Sequence, residues 1–307
     1  MRPRSLLFTL FGDFIRFYGG EIWAGSLIRL MQEFDFSPQA VRVALSRLTS
    51  EGWLQNRKVG KKSFYGLTER GEKRLVEGAS RIYKLENPPW NGEWLIVTYT
   101  IPESRKATRD RFRRELTWTG FGQLASSVWV SPRDLRPQLT ELVRRYNLEE
   151  TTDFFTACYR GPGESQALVR KCWDLDALQQ RYAQFMALYQ EKVAHYHQRQ
   201  VRREAMPENE CFCEEIRLIH EYRKFLFLDP GLPDELLPNQ WLGHDAARLM
   251  QEYYRQISPA AHHFFQQVFV AHPDEGRRTR SHLRPTLLDP FAEALRRQRF
   301  GLAASDQ

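Results

Sequence analysis

The sequence predicts an α+β chain of several domains. Three observations predict it: a front end with helical apolar spacing that runs into two short strand-like segments, a middle in which strand-like and helix-like stretches alternate, and a remainder with helical spacing alone. A length of 307 residues suits two or three cores rather than one. No staple is needed to hold them.

In the front end, Leu6, Leu7, Leu10, Phe11, Phe14 and Tyr18 recur at helical spacing over residues 5–18, and Gly19-Gly20 ends that helix. After the short apolar pair Ile22-Trp23, Leu27, Ile28 and Met31 mark a second helix over 25–33, followed by a turn through Phe34, Asp35 and Phe36. Ser37-Pro38 is a start signal, because Ser offers an oxygen to free amides and Pro suits the first helical position. The third helix therefore runs from about Pro38 to Ser50. Val41, Ala44, Leu45 and Leu48 share its apolar face, while Gln39, Val43, Ser46 and Ser50 lie opposite, flanked by Arg42 and Arg47. Gly52 closes the helix. Residues 53–58 and 63–67 then pair as strands across a tip of Val59, Gly60, Lys61 and Lys62. Three helices and a basic hairpin make a winged helix-turn-helix. Thr68-Glu69-Arg70-Gly71 opens a further helix to about Lys84, and Asn87, Pro88, Pro89 and Asn91-Gly92 mark a boundary.

The middle reads as a strand over 94–101, a helix over 104–116, a strand over 122–130, a helix over 135–146 and a strand over 153–159, with a further short strand near 119–121. This alternation favours a small ferredoxin-like sandwich. From Leu175 onward the spacing is helical: 175–203, 210–227, 245–256 and 259–269, with the Pro-rich stretch Asp229 to Pro238 between. The expected division is 1–86 for the winged helix, 92–173 for a ferredoxin-like dimerisation domain, and 174–307 for a helical C-terminal domain. The tail after Gly276 is rich in Arg.

Charge and composition narrow the function. Residues 1–86 hold 15 Lys and Arg against 9 Asp and Glu, whereas the rest of the chain holds 30 against 29. The excess is concentrated where an acidic polymer would bind. Apolar runs such as Trp94 to Tyr99 are far shorter than the roughly 20 residues of a membrane helix, and Asp13 and Arg16 interrupt the only N-terminal apolar run. A membrane span and a secretory signal are not expected. Cys158, Cys172, Cys211 and Cys213 are too few and too uneven for a disulfide framework, which points to reducing cytoplasm. Cys211 and Cys213 lie one residue apart, closer than zinc ligands, so they read as ordinary thiols.

In a winged helix the third helix enters the major groove, so Gln39, Arg42, Ser46 and Arg47 are the candidate base readers. Arg57, Lys58, Lys61 and Lys62 on the hairpin suit phosphates or the minor groove. Enzyme signatures are missing: there is no phosphate loop, no nucleophile turn, and His195, His197, His262 and His263 are not spaced to clamp a metal on one helix face. Cas2-type nucleases share the ferredoxin-like plan and hold metal with an Asp near the end of the first strand. Here that strand ends Thr98-Tyr99-Thr100-Ile101-Pro102, with no carboxylate before Glu103. No metal or cofactor is expected.

FSPQAVRVALSRLTSEGWL followed by GKKSFYGLTERG resembles the PaaX family, the repressors of phenylacetic acid degradation. The resemblance continues in WNGEWLIVTYTIPE, LTWTGFGQLASSVWVSPRD and FLDPGLPDELLPNQWLGHDAARLM, and so covers most of the chain. It implies the three domains above, a homodimer on a palindromic double-stranded operator, and release by phenylacetyl-CoA. It brings no effector residues with it. An aryl-CoA pairs an apolar ring with phosphates, so its pocket needs aromatics beside Arg or Lys. Trp241, His244 and Arg248 have those types, as do Tyr222 and Arg223; an aromatic core beneath a charged surface explains them equally well. Two competing functions are a nucleic-acid-processing enzyme with a Cas2-like middle domain and an enzyme acting on CoA esters.

Overall fold

The computed structural model describes residues 1–83 and 89–269. The expected helix end at Lys84, the boundary residues Asn87 and Pro88, and the Arg-rich tail lie outside the described residues. In chain order the elements are α1 (Pro3–Asp13), a 3-10 turn (Ile15–Tyr18), β1 (Glu21–Trp23), α2 (Ala24–Gln32), α3 (Pro38–Ser50), β2 (Leu54–Val59), β3 (Lys62–Leu67) and α4 (Glu69–Ile82). There follow β4 (Trp94–Tyr99), α5 (Lys106–Thr119), β5 (Gly122–Ala125), β6 (Val128–Ser131), α6 (Arg136–Tyr146), β7 (Thr152–Ala157) and α7 (Ser165–Cys172). Three longer helices close the described chain: α8 (Leu175–Val201), α9 (Glu208–Tyr222) and α10 (Leu242–Val268).

These elements gather into two compact units. Within the described residues, 1–83, 187–223 and 247–269 make one, and 89–186 with 224–246 make the other. The helical third segment of the sequence is thus shared between both units, and α8 and α10 each contribute to both.

In the first unit, α1 is an apolar helix with Leu6, Leu7, Leu10 and Phe11 buried. Phe14, just past its end, is fully buried and meets Phe212 of α9 at 5.2 Å and Phe265 of α10 at 5.0 Å between ring centroids. Each such ring taken from water contributes about 1.5–3 kcal/mol, so α1 is held by helices roughly 200 residues away as much as by its sequence neighbours. The three strands order as β1-β3-β2, all antiparallel. β1 was expected only as the apolar pair Ile22-Trp23, and it is a three-residue strand paired along β3.

In the second unit, four antiparallel strands order as β5-β6-β4-β7, with α5 and α6 as the crossovers. Leu95, Val97 and Tyr99 of β4 pack with Phe112, Leu116, Leu139, Leu142 and Val143 of the helices. Three expectations need correction. The single strand over 122–130 is a hairpin, β5 to β6, turning at Ser126-Ser127, and its register slips between Gln123 and Ala125. No strand forms at 119–121: Gly120 takes a left-handed φ of 96° as the cap of α5, and its amide donates to Thr117 O. α10 runs unbroken through Pro259, where two helices were expected. Pro259 removes one hydrogen bond to the Arg255 carbonyl. Ile257, Ala261 and Phe265 are fully buried on either side of it and keep both halves on one core. α7 was not expected at all.

Candidate nucleic-acid interface

The candidate interface lies where a short helix, a turn and a basic hairpin meet in the first unit. α2 ends in a turn in which Asp35 takes φ 62°, and Ser37 then accepts a hydrogen bond from the Ala40 amide at 3.2 Å. With Pro38 in the first turn, the start of α3 is doubly fixed. Val41, Ala44, Leu45 and Leu48 are buried, while Gln39, Arg42, Val43, Ser46, Arg47 and Ser50 are exposed. Among the described residues, neither Arg42 nor Arg47 pairs with a carboxylate.

The hairpin is registered from Leu54↔Leu67 to Val59↔Lys62, which leaves Gly60-Lys61 as a two-residue turn. Gly60 takes φ 57°, a value that such a turn requires and that an L side chain resists. Its four cations differ in their surroundings. Arg57 reaches across β3 to grip Glu21 of β1, with Nε donating to Oε1 at 3.1 Å and Nη2 to Oε2 at 2.5 Å. Lys62 places Nζ 5.0 Å from the Trp23 ring centre. Lys58 and Lys61 are exposed and have no carboxylate partner among the described residues. Sequence reasoning missed Glu21 and Trp23, which hold the hairpin by two of its own basic residues. Thr68 secures the other end, accepting from the Gly71 amide at 3.1 Å and donating to Gly52 O at 2.7 Å. Gly71 must lack a side chain, since a Cβ there would stand 2.4 Å from Trp53 O.

Behind this surface the turn between α2 and α3 is tied to α9. Asn209 donates to the Glu33 carboxylate at 3.1 Å, Cys213 Sγ lies 3.5 Å from Glu33 O, and Arg217 stacks 5.7 Å from the Phe34 ring centre. A cleft of about 520 Å³ opens beside Glu33, Lys192, Tyr196, Arg199, Arg217 and Tyr253. Burial pushes the Cys213 thiol up to about 12, so it is not a thiolate at neutral pH.

Deeper in the same unit lies a buried titratable cluster that the sequence did not announce. Asp13, at the end of α1, is 1% exposed and accepts from the Tyr83 hydroxyl; Glu215 of α9 is fully buried. Burial raises both carboxyls, and the nearby charge of Asp13 raises Glu215 further. Burial also pushes His262 down to about 4, with its Nε2 3.6 Å from Glu215 Oε1. With the imidazole held down by burial, the contact is not an ion pair at neutral pH.

The five effector candidates do not share one compact unit. Trp241 and His244 belong to the second, Tyr222, Arg223 and Arg248 to the first. Trp241 is 8% exposed, sits edge-on to Tyr182 with centroids 5.6 Å apart, and closes over Gly243. His244 Nε2 lies 3.2 Å from Asp234 Oδ1. Tyr222 is buried, and Arg223, its guanidinium lowered by burial, donates to Ser5 O at 3.0 Å. Arg248 is exposed. None of the five lines the cleft beside Glu33, or a second cleft of about 630 Å³ formed by residues 166–176 and 236–238.

Among the described residues no helix is long and apolar enough to cross a membrane. Three family models match the chain in series: "PaaX-like protein" over residues 2–71, "PaaX protein central Cas2-like domain" over 87–169 and "PaaX-like protein C-terminal domain" over 173–267. The chain is similar to the transcriptional repressor PaaX of Escherichia coli strain K12, at 34% identity over 260 residues, covering 84% of this chain and 81% of that one. A solved structure, Rv0674 of Mycobacterium tuberculosis, aligns at 23% identity with a TM-score of 0.48, over 78% of this chain and 90% of that one.

Proposed function

The chain belongs to the PaaX family, and from that premise we propose that it is a transcriptional repressor that binds operator DNA through α3 and the β2–β3 hairpin. In this reading, residues up to Ile82 are a winged helix-turn-helix and residues 94–157 a ferredoxin-like domain, a plan that the element order and the strand order β5-β6-β4-β7 support. The observation that carries the DNA reading is the coincidence, in one unit, of a helix face bearing Arg42 and Arg47 with a hairpin bearing Lys58 and Lys61, none of the four paired with a carboxylate among the described residues. Gln39, Arg42, Ser46 and Arg47 read base edges. Lys58 and Lys61 hold phosphates, while Arg57 and Lys62 brace the hairpin and reach DNA only by leaving Glu21 and Trp23.

A single α3 covers too few base pairs for tight specific binding, so the protein acts as a homodimer on a palindrome. Phenylacetyl-CoA releases it, and the exposed Arg248 of α10 is the accessible candidate for the effector's polar end. The test is a titration of the promoter nearest its own gene, with phenylacetyl-CoA, other acyl-CoAs and free phenylacetate. The thioester should lower operator affinity by about 5- to 150-fold at saturation, the usual span of allosteric coupling. Free phenylacetate should leave the complex intact. Release by phenylacetate at comparable concentration would sink the effector assignment, and equal affinity for operator and random DNA would sink the repressor reading.

A further inference from the structure

The outward face of α3 carries one side chain that charge and hydrogen bonding leave unexplained. Val43 is 42% exposed, and over residues 1–83 it and Met1 are the large apolar side chains open to solvent. An α-helix turns about 100° per residue, so Gln39 and Arg47 lie about 40° to either side of Val43, and Ser46 about 60° away. All three are exposed. Val43 therefore stands in the second turn of α3, in the middle of the face that holds the candidate base readers. Helix formation gives no reason for it there, because Val forms helices less well than Ala, Gln or Arg. Solvation gives none either.

The chemistry of Val43 says what it would meet. Its χ1 is held in one strongly preferred rotamer in a helix, so its two methyls are placed in advance and lose little freedom on contact. It has no donor or acceptor, and cannot read a base through hydrogen bonds. On the major-groove edges of the four bases, the apolar group is the C5 methyl of thymine. A lone apolar side chain ringed by polar ones is no match for a protein partner, whose anchor is a packed cluster. We propose that Val43 reads thymine: its methyls pack on a thymine C5 methyl of the operator, beside bases hydrogen-bonded by Gln39, Arg42, Ser46 and Arg47. The inference rests on the DNA-binding reading of α3 and assigns it a base that its polar residues do not select.

Deoxyuridine tests it, because it pairs with adenine as thymine does and lacks only the methyl. The segment protected in the promoter nearest the protein's own gene is rebuilt as a set of duplexes, each with a single thymine replaced by deoxyuridine. Each duplex is titrated by fluorescence anisotropy with the full-length chain and with Val43→Ala. The site is exposed and Ala is the better helix former, so the variant should melt no lower than the parent. With the parent, one thymine or a symmetry-related pair should lose about fourfold in affinity on replacement, as expected for one methyl group taken from water. Val43→Ala should bind the unmodified operator more weakly by a similar factor and no longer respond at that thymine. Its responses at other thymines should match the parent's, since any change that deoxyuridine makes in the stiffness of the duplex is felt by both proteins. A variant that keeps every deoxyuridine response of the parent, or a parent that responds at no thymine, overturns the Val43 assignment and leaves the DNA reading intact. A parent with equal affinity for operator and random DNA overturns both.

Discussion

Arg57 and Lys61 carry the same charge on the same hairpin, but one already grips Glu21 and the other touches no carboxylate among the described residues. Lys61→Ala should therefore weaken operator and random DNA alike and lower the salt dependence of log affinity by about one phosphate contact. Arg42→Ala should cost about 1–3 kcal/mol on the operator and much less on random DNA. Fluorescence anisotropy at several salt concentrations separates the two, and equal losses for Arg42→Ala on both DNAs would refute its base-reading role. The buried carboxyls make a second residue-level claim. Asp13 and Glu215 have pKa values raised by burial, so their contribution to stability is complete below about pH 4 and is lost as pH rises through the folded values. His262 is lowered to about 4, so its contribution is present above pH 6.5 and fades as pH falls below that. Between pH 6.5 and about 8 the His262 contribution is constant, so the melting temperature should fall with rising pH as far as a buried carboxyl still titrates. In Glu215→Gln that slope should flatten; an unchanged slope in differential scanning fluorimetry would mean that Glu215 is not the group titrating.

Among the elements, the β2–β3 hairpin depends most on one backbone angle. Gly60→Val forces a branched side chain to φ 57° and should cost about 1–2 kcal/mol locally. Binding to operator and to random DNA should drop together if, as proposed, the hairpin holds phosphates rather than bases. Operator-only loss would show that the tip reads sequence. The legible elements were those whose signals are local. Ser37-Pro38 announced α3 at its first residue, and Thr68 announced α4, because a cap is written into a few adjacent residues. The hairpin at Ser126-Ser127 was hidden because its turn carries no Gly, Asn or Pro. Pro259 misled for the opposite reason: a strong local breaker was outweighed by buried side chains on both sides. Of the site, the outward face of α3 was readable from spacing alone. The Glu21–Arg57 grip was not, because it joins strands 36 positions apart and only folding brings them together.

At the scale of the whole molecule, the front end shares its core with helices from the far end of the chain. Phe14 meets rings from α9 and α10, Arg223 donates to Ser5, and Asp13 faces Glu215 across the same interior. A fragment of residues 1–86 should consequently lose cooperative unfolding in urea and bind an apolar dye, whereas the full chain should unfold sharply. A fragment with a sharp transition and no dye binding would show that the helices are dispensable.

The same packing sets a timetable for synthesis. Phe14 leaves the ribosome 198 residues ahead of Phe212, which at roughly 5–20 residues per second is a wait of about 10–40 s. Throughout that interval α1 and Phe14 have been made but lack the α9 and α10 rings they pack against. If α3 and the β2–β3 hairpin bind operator as proposed, a nascent chain that stalls anywhere before α9 should offer no competent half-product. On that reading, control of transcription should begin only once translation is nearly complete.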